Sequence, residues 1–208
     1  HHIISDGWSL DILYRELFQC YEAYSKGNEP LLSTLSIQFK DYAVWQSNQF
    51  RNETYLDHRD FWKEKLSGEL PVSNLSELKK RPLLKTNNGK RLYTYLNHED
   101  IESLNRFSDI HSGTTFMGLL SVWNILVYRY TGQSDSIVGT PVAGREYPQL
   151  ENQIGCYVNT LALRNVIDSH WNFSQLFDRV RENTLASYDH QAYPFDHLVE
   201  ELDIQRDV

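Results

Sequence analysis

Cysteine is almost missing from this chain of 208 residues: only Cys20 and Cys156 occur, far apart and in no Cys-x-x-Cys pair. That argues against a disulfide scaffold and a thiolate zinc site, and a reducing, cytoplasmic setting is expected. Long hydrophobic runs are lacking as well. The most apolar stretch, residues 116–128, is about half the length a bilayer span requires and is interrupted by Ser121 and Asn124. No transmembrane segment and no membrane partner is expected. The first residues have no basic stretch followed by an apolar core, so no signal peptide is read, and the chain opens on His1-His2 without a Met, as a fragment with an upstream start would. Positive charge is the minority sign, 20 Lys and Arg against 28 Asp and Glu, giving a net charge of −8. Such a field repels phosphate backbones, and no nucleic-acid partner is expected. Internal repeats and low-complexity tracts are also absent.

What is present suits a globular fold: 40% hydrophobic residues, 13% aromatic. Residues 1–4 look like the end of a strand, and Ser5-Asp6-Gly7 like a turn into a helix capped by Ser9. Leu10, Leu13, Leu17, Tyr21 and Tyr24 fall at helical spacing and predict one buried face, until Gly27 and Pro30 stop the helix. Residues 39–49 and 55–66 predict two further helices rich in bulky aromatics. Periodicity then fades across residues 71–90, where Lys79, Lys80, Arg81, Lys85, Lys90 and Arg91 cluster, predicting a solvated connector rather than a dock for an acidic partner. Residues 92–96 alternate like a strand, 100–107 predict a surface helix, and 114–130 a helix apolar nearly all round and hence central. Strands are expected at 136–142 and 158–166, then a helix capped by Asn172 and a short last one opened by Pro194. Strands interleaved with helices make the fold class α/β or α+β.

Several catalytic signatures fail on inspection. Gly113 to Gly118 has the glycine spacing of a phosphate loop, but Leu119 stands where the lysine should be. Residues 132–136 start like a nucleophile elbow, but a serine replaces its closing glycine. His98-Glu99 has no second histidine at metal spacing, so no metal site is supported.

The heptapeptide His1-His2-Ile3-Ile4-Ser5-Asp6-Gly7 remains. An imidazole titrating near neutrality can take a proton from an attacking amine or hydroxyl and return it. The aspartate can hold the loop, and the glycine lets backbone approach a substrate. Two leading histidines on their own could equally be the remnant of a tag.

The following residues do not leave them on their own. His-His-x-x-x-Asp-Gly, followed by Trp8-Ser9 and an amphipathic helix, resembles the active-site signature of the condensation domains of nonribosomal peptide synthetases. Further segments resemble that family in the same order: Asp41 with Tyr42-Ala43-Val44-Trp45-Gln46, Thr131 to Gln133 with Val138 to Arg145, Ile154 to Leu161 with Arg164, and His190-Gln191-Ala192-Tyr193-Pro194-Phe195-Asp196. Ala192 and Asp196 depart from the acidic residue and Glu usual there, and Tyr157 from Phe. Chloramphenicol acetyltransferases share the heptapeptide, and the resemblance implies their two-layer α/β sandwich.

By that resemblance, residues 1–70 supply the active-site loop and the helices between two lobes, and 71–208 the C-terminal lobe, with the N-terminal lobe a missing partner. It places His2, Asp6 and Gly7 in the catalytic centre, His2 as base or positioning group, Asp6 as a loop anchor paired with an arginine upstream of this chain, and Gly7 as an N–H donor to an oxyanion. Nearby substrate contacts would come from His1, Trp8, Ser9 and Asn159, with His1 also able to pack structurally and Asn159 to bond backbone instead. Tyr42, Trp45, Arg164, His190, Gln191 and Pro194 would be framework. The implied reaction is amide formation between two thioesters carried on the phosphopantetheine of upstream and downstream carrier domains, beside an adenylation domain, with no cofactor in the chain. An epimerisation domain, a coenzyme A acyltransferase and a non-catalytic carrier-binding lobe are the alternatives.

Overall fold

A computed structural model describes all residues except 51, 73–74, 76–85, 87 and 203–208. Lys79, Lys80, Arg81 and Lys85 therefore lie outside the described residues, while Lys90 and Arg91 are exposed. The element order is α1 (Gly7–Ser25), α2 (Phe39–Gln49), α3 (Glu53–Lys65), α4 (His98–Ile110), α5 (Thr115–Thr131), β1 (Asp135–Val142), β2 (Asn159–Val166), α6 (Phe173–Asp189) and α7 (Phe195–Glu201), with a 3-10 turn at Pro148–Leu150.

Strands β1 and β2 pair antiparallel, Asp135 opposite Val166 and Val142 opposite Asn159. Two strands alone are marginal in water, so helices must cover them. Leu161, Ala162 and Leu163 are buried in succession, which requires cover on both faces of β2. Leu176 and Val180 of α6, Leu120 of α5, Trp62 of α3 and Leu198 of α7 join them in one core. Each of these deletions to alanine would cost on the order of 2–5 kcal/mol. Helix α6 starts on a capping box, Asn172 and Gln175 each bonding the other's backbone N–H at 3.0 Å. Gly118 lets α5 lie against α4, where an added Cβ would come within 2.9 Å of Leu104 and Ser108. That packing, not a phosphate loop, explains the glycine.

Four expectations are corrected. Residues 1–4 form a four-residue turn closed by Ile4 N–H to His1 O at 3.1 Å, and no strand among the described residues pairs with them. Residues 92–96 make no ladder, and Leu92 and Tyr95 are over 90% exposed, because no strand among the described residues pairs with them. The apolar stripe of α1 faces outward: Ser9 and Ile12 are buried, while Leu13, Leu17, Tyr21 and Tyr24 are exposed. Helix α5 buries one face only, leaving Trp123, Leu126 and Tyr130 open. No single helix among the described residues is long and apolar enough to cross a membrane; α4 and α5, bent by 108° to one another, pass by length and composition only as a pair.

Candidate active site

The chemistry-bearing loop is fixed by the residue that ends it. Asp6, in extended backbone at φ −123°, caps α1 by accepting the Ser9 N–H at 2.8 Å. The cap is therefore Asp6 and not Ser9, since a carboxylate three residues before that N–H reaches it directly. Asp6 is buried, and it also accepts the Tyr157 N–H at 3.0 Å and lies 3.2 Å from the Arg145 guanidinium. Burial pushes its pKa up, but the Ser9 hydroxyl, the Tyr157 and Ser9 N–H groups and Arg145 outweigh it and hold the carboxyl below its ordinary value.

Whereas the resemblance implies an arginine upstream, within this chain the guanidinium paired with Asp6 is that of Arg145. Its side chain is 1% exposed, and besides Asp6 it donates to Leu150 O, to Gln153 O at 2.9 Å and to Ser9 Oγ at 3.0 Å. Its guanidinium lies 4.2 Å from the centre of the Tyr157 ring. Backbone closes tightly around it: Gly144, at φ +63°, would place any Cβ 1.9 Å from Tyr157 O. Only glycine fits there. Arg145 ends the segment Val138 to Arg145 quoted above, so its position was visible, but a pairing across 139 residues leaves no local periodicity to find.

Ser9 is 1% exposed, and its Oγ stands 2.7 Å from Asp6 Oδ1 and 2.8 Å from Gly155 O while accepting the Gly155 N–H at 3.1 Å. With its hydroxyl consumed internally, Ser9 has nothing to offer a substrate. Trp8 is half-exposed and donates its indole N–H to Glu151 O at 2.8 Å, tying α1 to the 145–157 loop. The consequence is a rigid base under an open tip. His1 and His2 are exposed; His1 Nδ1 accepts the Ile3 N–H at 3.3 Å, and the His2 ring has no hydrogen-bond or ionic partner among the described residues. Gly7, exposed at the first turn of α1, also keeps its N–H without an acceptor among the described residues, one of the free donors every helix start leaves.

Asn159 opens β2 with all four amide positions used: Nδ2 donates to Gln191 O and Tyr193 O, both at 2.8 Å, and Oδ1 accepts Thr160 N–H and Phe195 N–H. Those bonds pin the corner between α6 and α7, where His190 ends one helix and Pro194 starts the next. His190 stacks on Phe61 with centroids 4.0 Å apart and faces His58, Nδ1 to Nδ1 at 2.9 Å; burial first, then His58, lowers its pKa. Gln191 lends this corner its carbonyl. Arg164 pairs with Asp135 at 2.7 Å and bonds Ser67 O and Glu69 O. Tyr42 packs on Tyr157, and Trp45 meets Tyr147 edge to face. His2 and Asn159 are thus held in different settings, one free and one saturated. Cys20 and Cys156 are unbonded, and no three His, Cys, Asp or Glu side chains gather for a metal among the described residues.

A family model described as "Condensation domain" matches residues 1–208. The chain is 42% identical over 208 residues to tyrocidine synthase 3 of Brevibacillus parabrevis and 44% identical over 208 residues to surfactin synthase subunit 1 of Bacillus subtilis (strain 168). Both alignments take in all of this chain, but only 3% and 6% of those proteins. The X-domain from teicoplanin biosynthesis, 23% identical, superposes with a TM-score of 0.89 over 99% of this chain and 47% of its own. Its likeness bears on the fold alone, a mixed helix-and-strand fold of the chloramphenicol acetyltransferase-like type. With every residue matched and the heptapeptide, Tyr42–Gln46, Ile154–Leu161 and 190–196 segments in order, the chain belongs to the condensation-domain family.

Proposed function

We propose that this chain carries the active-site loop of a domain that joins two carrier-bound acyl groups by an amide bond in nonribosomal peptide synthesis. The acceptor amine attacks the donor thioester carbonyl, the C–N bond forms, and the C–S bond breaks to release the donor thiol, which takes the proton the amine gives up. Both thioesters are substrates brought by upstream and downstream carrier domains on phosphopantetheine, next to an adenylation domain and the other lobe of this domain.

One observation carries the reading: Asp6 and Arg145 clamp the base of the heptapeptide while the His2 ring and the Gly7 N–H stay uncommitted above it. His2 takes or orients the amine proton. Gly7, at the positive end of α1, donates to the oxyanion of the tetrahedral intermediate. Asp6 holds the loop and, as an ionised, paired carboxylate, takes no proton. Ser9 and Asn159 are fasteners of the loop and of the 190–196 corner, while His1 and Trp8 border the reacting groups. Tyr42, Trp45, Arg164, His190, Gln191 and Pro194 act through packing.

The test is dipeptidyl thioester formation by the intact parent synthetase with loaded donor and acceptor carriers, followed by mass spectrometry. His2→Ala should slow it by roughly 10²–10⁴-fold with the circular dichroism unchanged. Undiminished turnover removes His2 from the chemistry. Exchange of an α-proton without a new amide would instead assign an epimerisation domain.

A further inference from the structure

A cavity of about 310 Å³ lies between α2, residues 144–147, the start of β2 and the 191–196 corner, at the lower end of the range for small-molecule sites. Tyr42, Trp45, Tyr147 and Tyr157 form aromatic walls, with Trp45 and Tyr147 rings 5.3 Å apart and partly open to solvent. Two carboxylates, Glu146 and Asp196, line it, and no lysine or arginine does. His2 is not part of its wall.

Glu146 makes no hydrogen bond and no ion pair with any described residue. Partial burial raises its carboxyl pKa, with His58 pulling the other way. His58 is the one histidine of the wall, and its Nδ1 already faces His190 Nδ1 at 2.9 Å. Glu146 is solvent-exposed at the rim of the cavity, where its carboxylate stands beside aromatic faces with no lysine or arginine in the wall, and ring faces also attract cations. Anions and phosphates would meet two like charges and no lysine or arginine in the wall.

We propose that this cavity, whose wall does not include His2, binds a small organic cation, an alkylammonium of lysine side-chain size. The ammonium donates to Glu146 and rests against Trp45 and Tyr147, and its alkyl chain lies on the apolar wall supplied by Phe39 and Leu150. The proposal does not rest on the amide-forming reading, because its readout is binding and not turnover.

Saturation-transfer NMR of n-butylammonium against the complete condensation domain tests it, with n-butanol as the uncharged isostere. Butylammonium should bind, Glu146→Gln should weaken it by about tenfold or more, and added salt should weaken it further. Trp45→Leu, which keeps an apolar wall but removes the ring, should weaken it by about threefold or more, and serves if the first variant loses its circular dichroism. Butanol should give no comparable signal. Failure of butylammonium to bind, equal binding by both variants and wild type, or equal binding of butanol overturns the proposal. An unchanged rate of amide formation in Glu146→Gln is expected alongside.

Discussion

Replacing Arg145 by Met keeps roughly the length and apolar reach of the stem and removes the guanidinium from beside Asp6. At 1% exposure the vacated position cannot be filled freely by water. Removing one partner of a buried pair leaves the other charge uncompensated, at a typical cost of about 3–5 kcal/mol. Asp6 retains the Ser9 and Tyr157 donors, which places the loss at the lower end, about 3 kcal/mol. Urea unfolding of the complete domain, followed by circular dichroism, measures it. The pH dependence gives a second readout. The carboxyl of Asp6 is held below its ordinary value in the fold, so its contribution is present above the unfolded-state pKa and lost as pH falls through the folded one. Without Arg145, burial has less opposition and the folded pKa rises, so the variant has less Asp6-linked stability left to lose on acidification than the wild type. The gap between variant and wild type should therefore narrow toward pH 4, as Asp6 takes up a proton in the variant. Adding Asp6→Asn to Arg145→Met should recover part of the loss, but not the bonds to Leu150 O and Gln153 O. A cost under about 1 kcal/mol, or a double variant exactly as unstable as the sum of the two singles, would refute the clamp.

Two further outcomes follow from the same contacts. Asn159→Ala leaves four backbone groups without their amide partner and should cost about 2 kcal/mol or more, with faster hydrogen exchange confined to Thr160 and the 191–198 segment; uniform exchange would contradict its fastening role. Gly144→Ala and Gly132→Ala both sit at positive φ, but an added Cβ at 132 meets nothing within 4 Å while at 144 it meets Tyr157 O. The 132 variant should lose only the ~1–2 kcal/mol of left-handed backbone, and the 144 variant clearly more, in the same urea titration.

Where a signal is local, residues state their structure plainly. Asn172 and Gln175 mark the start of α6, Gly27 and Pro30 follow the end of α1, and the aromatic spacing of residues 39–49 coincides with α2. Residue type marks Ser9 as the cap of α1, whereas in the fold Asp6 caps and Ser9 is the capped donor and a buried hydroxyl. The alternation at 92–96 is real, but a strand is a relation between two segments and periodicity names only one of them. The same limit hid the clamp. Arg145 was legible as the end of a segment and Asp6 as part of another, and nothing in either specifies that they meet.

The outward stripe on α1 has a consequence for the chain on its own. Leu10, Leu13, Tyr14, Leu17, Phe18, Tyr21 and Tyr24 recur at intervals of three and four, and all are at least 44% exposed, while α5 adds Trp123, Leu126 and Tyr130. Periodicity of that kind normally marks a face that is covered, and each large apolar side chain left in water forgoes about 1.5–3 kcal/mol of burial. Contiguous apolar surface of this extent drives association. The 208-residue chain expressed alone should therefore sediment as oligomers, and Leu17→Lys with Tyr21→Lys should shift it toward monomer without changing its circular dichroism. A monodisperse monomer at high concentration would show that these side chains are content in water, and the inference that something must cover α1 would fail with it.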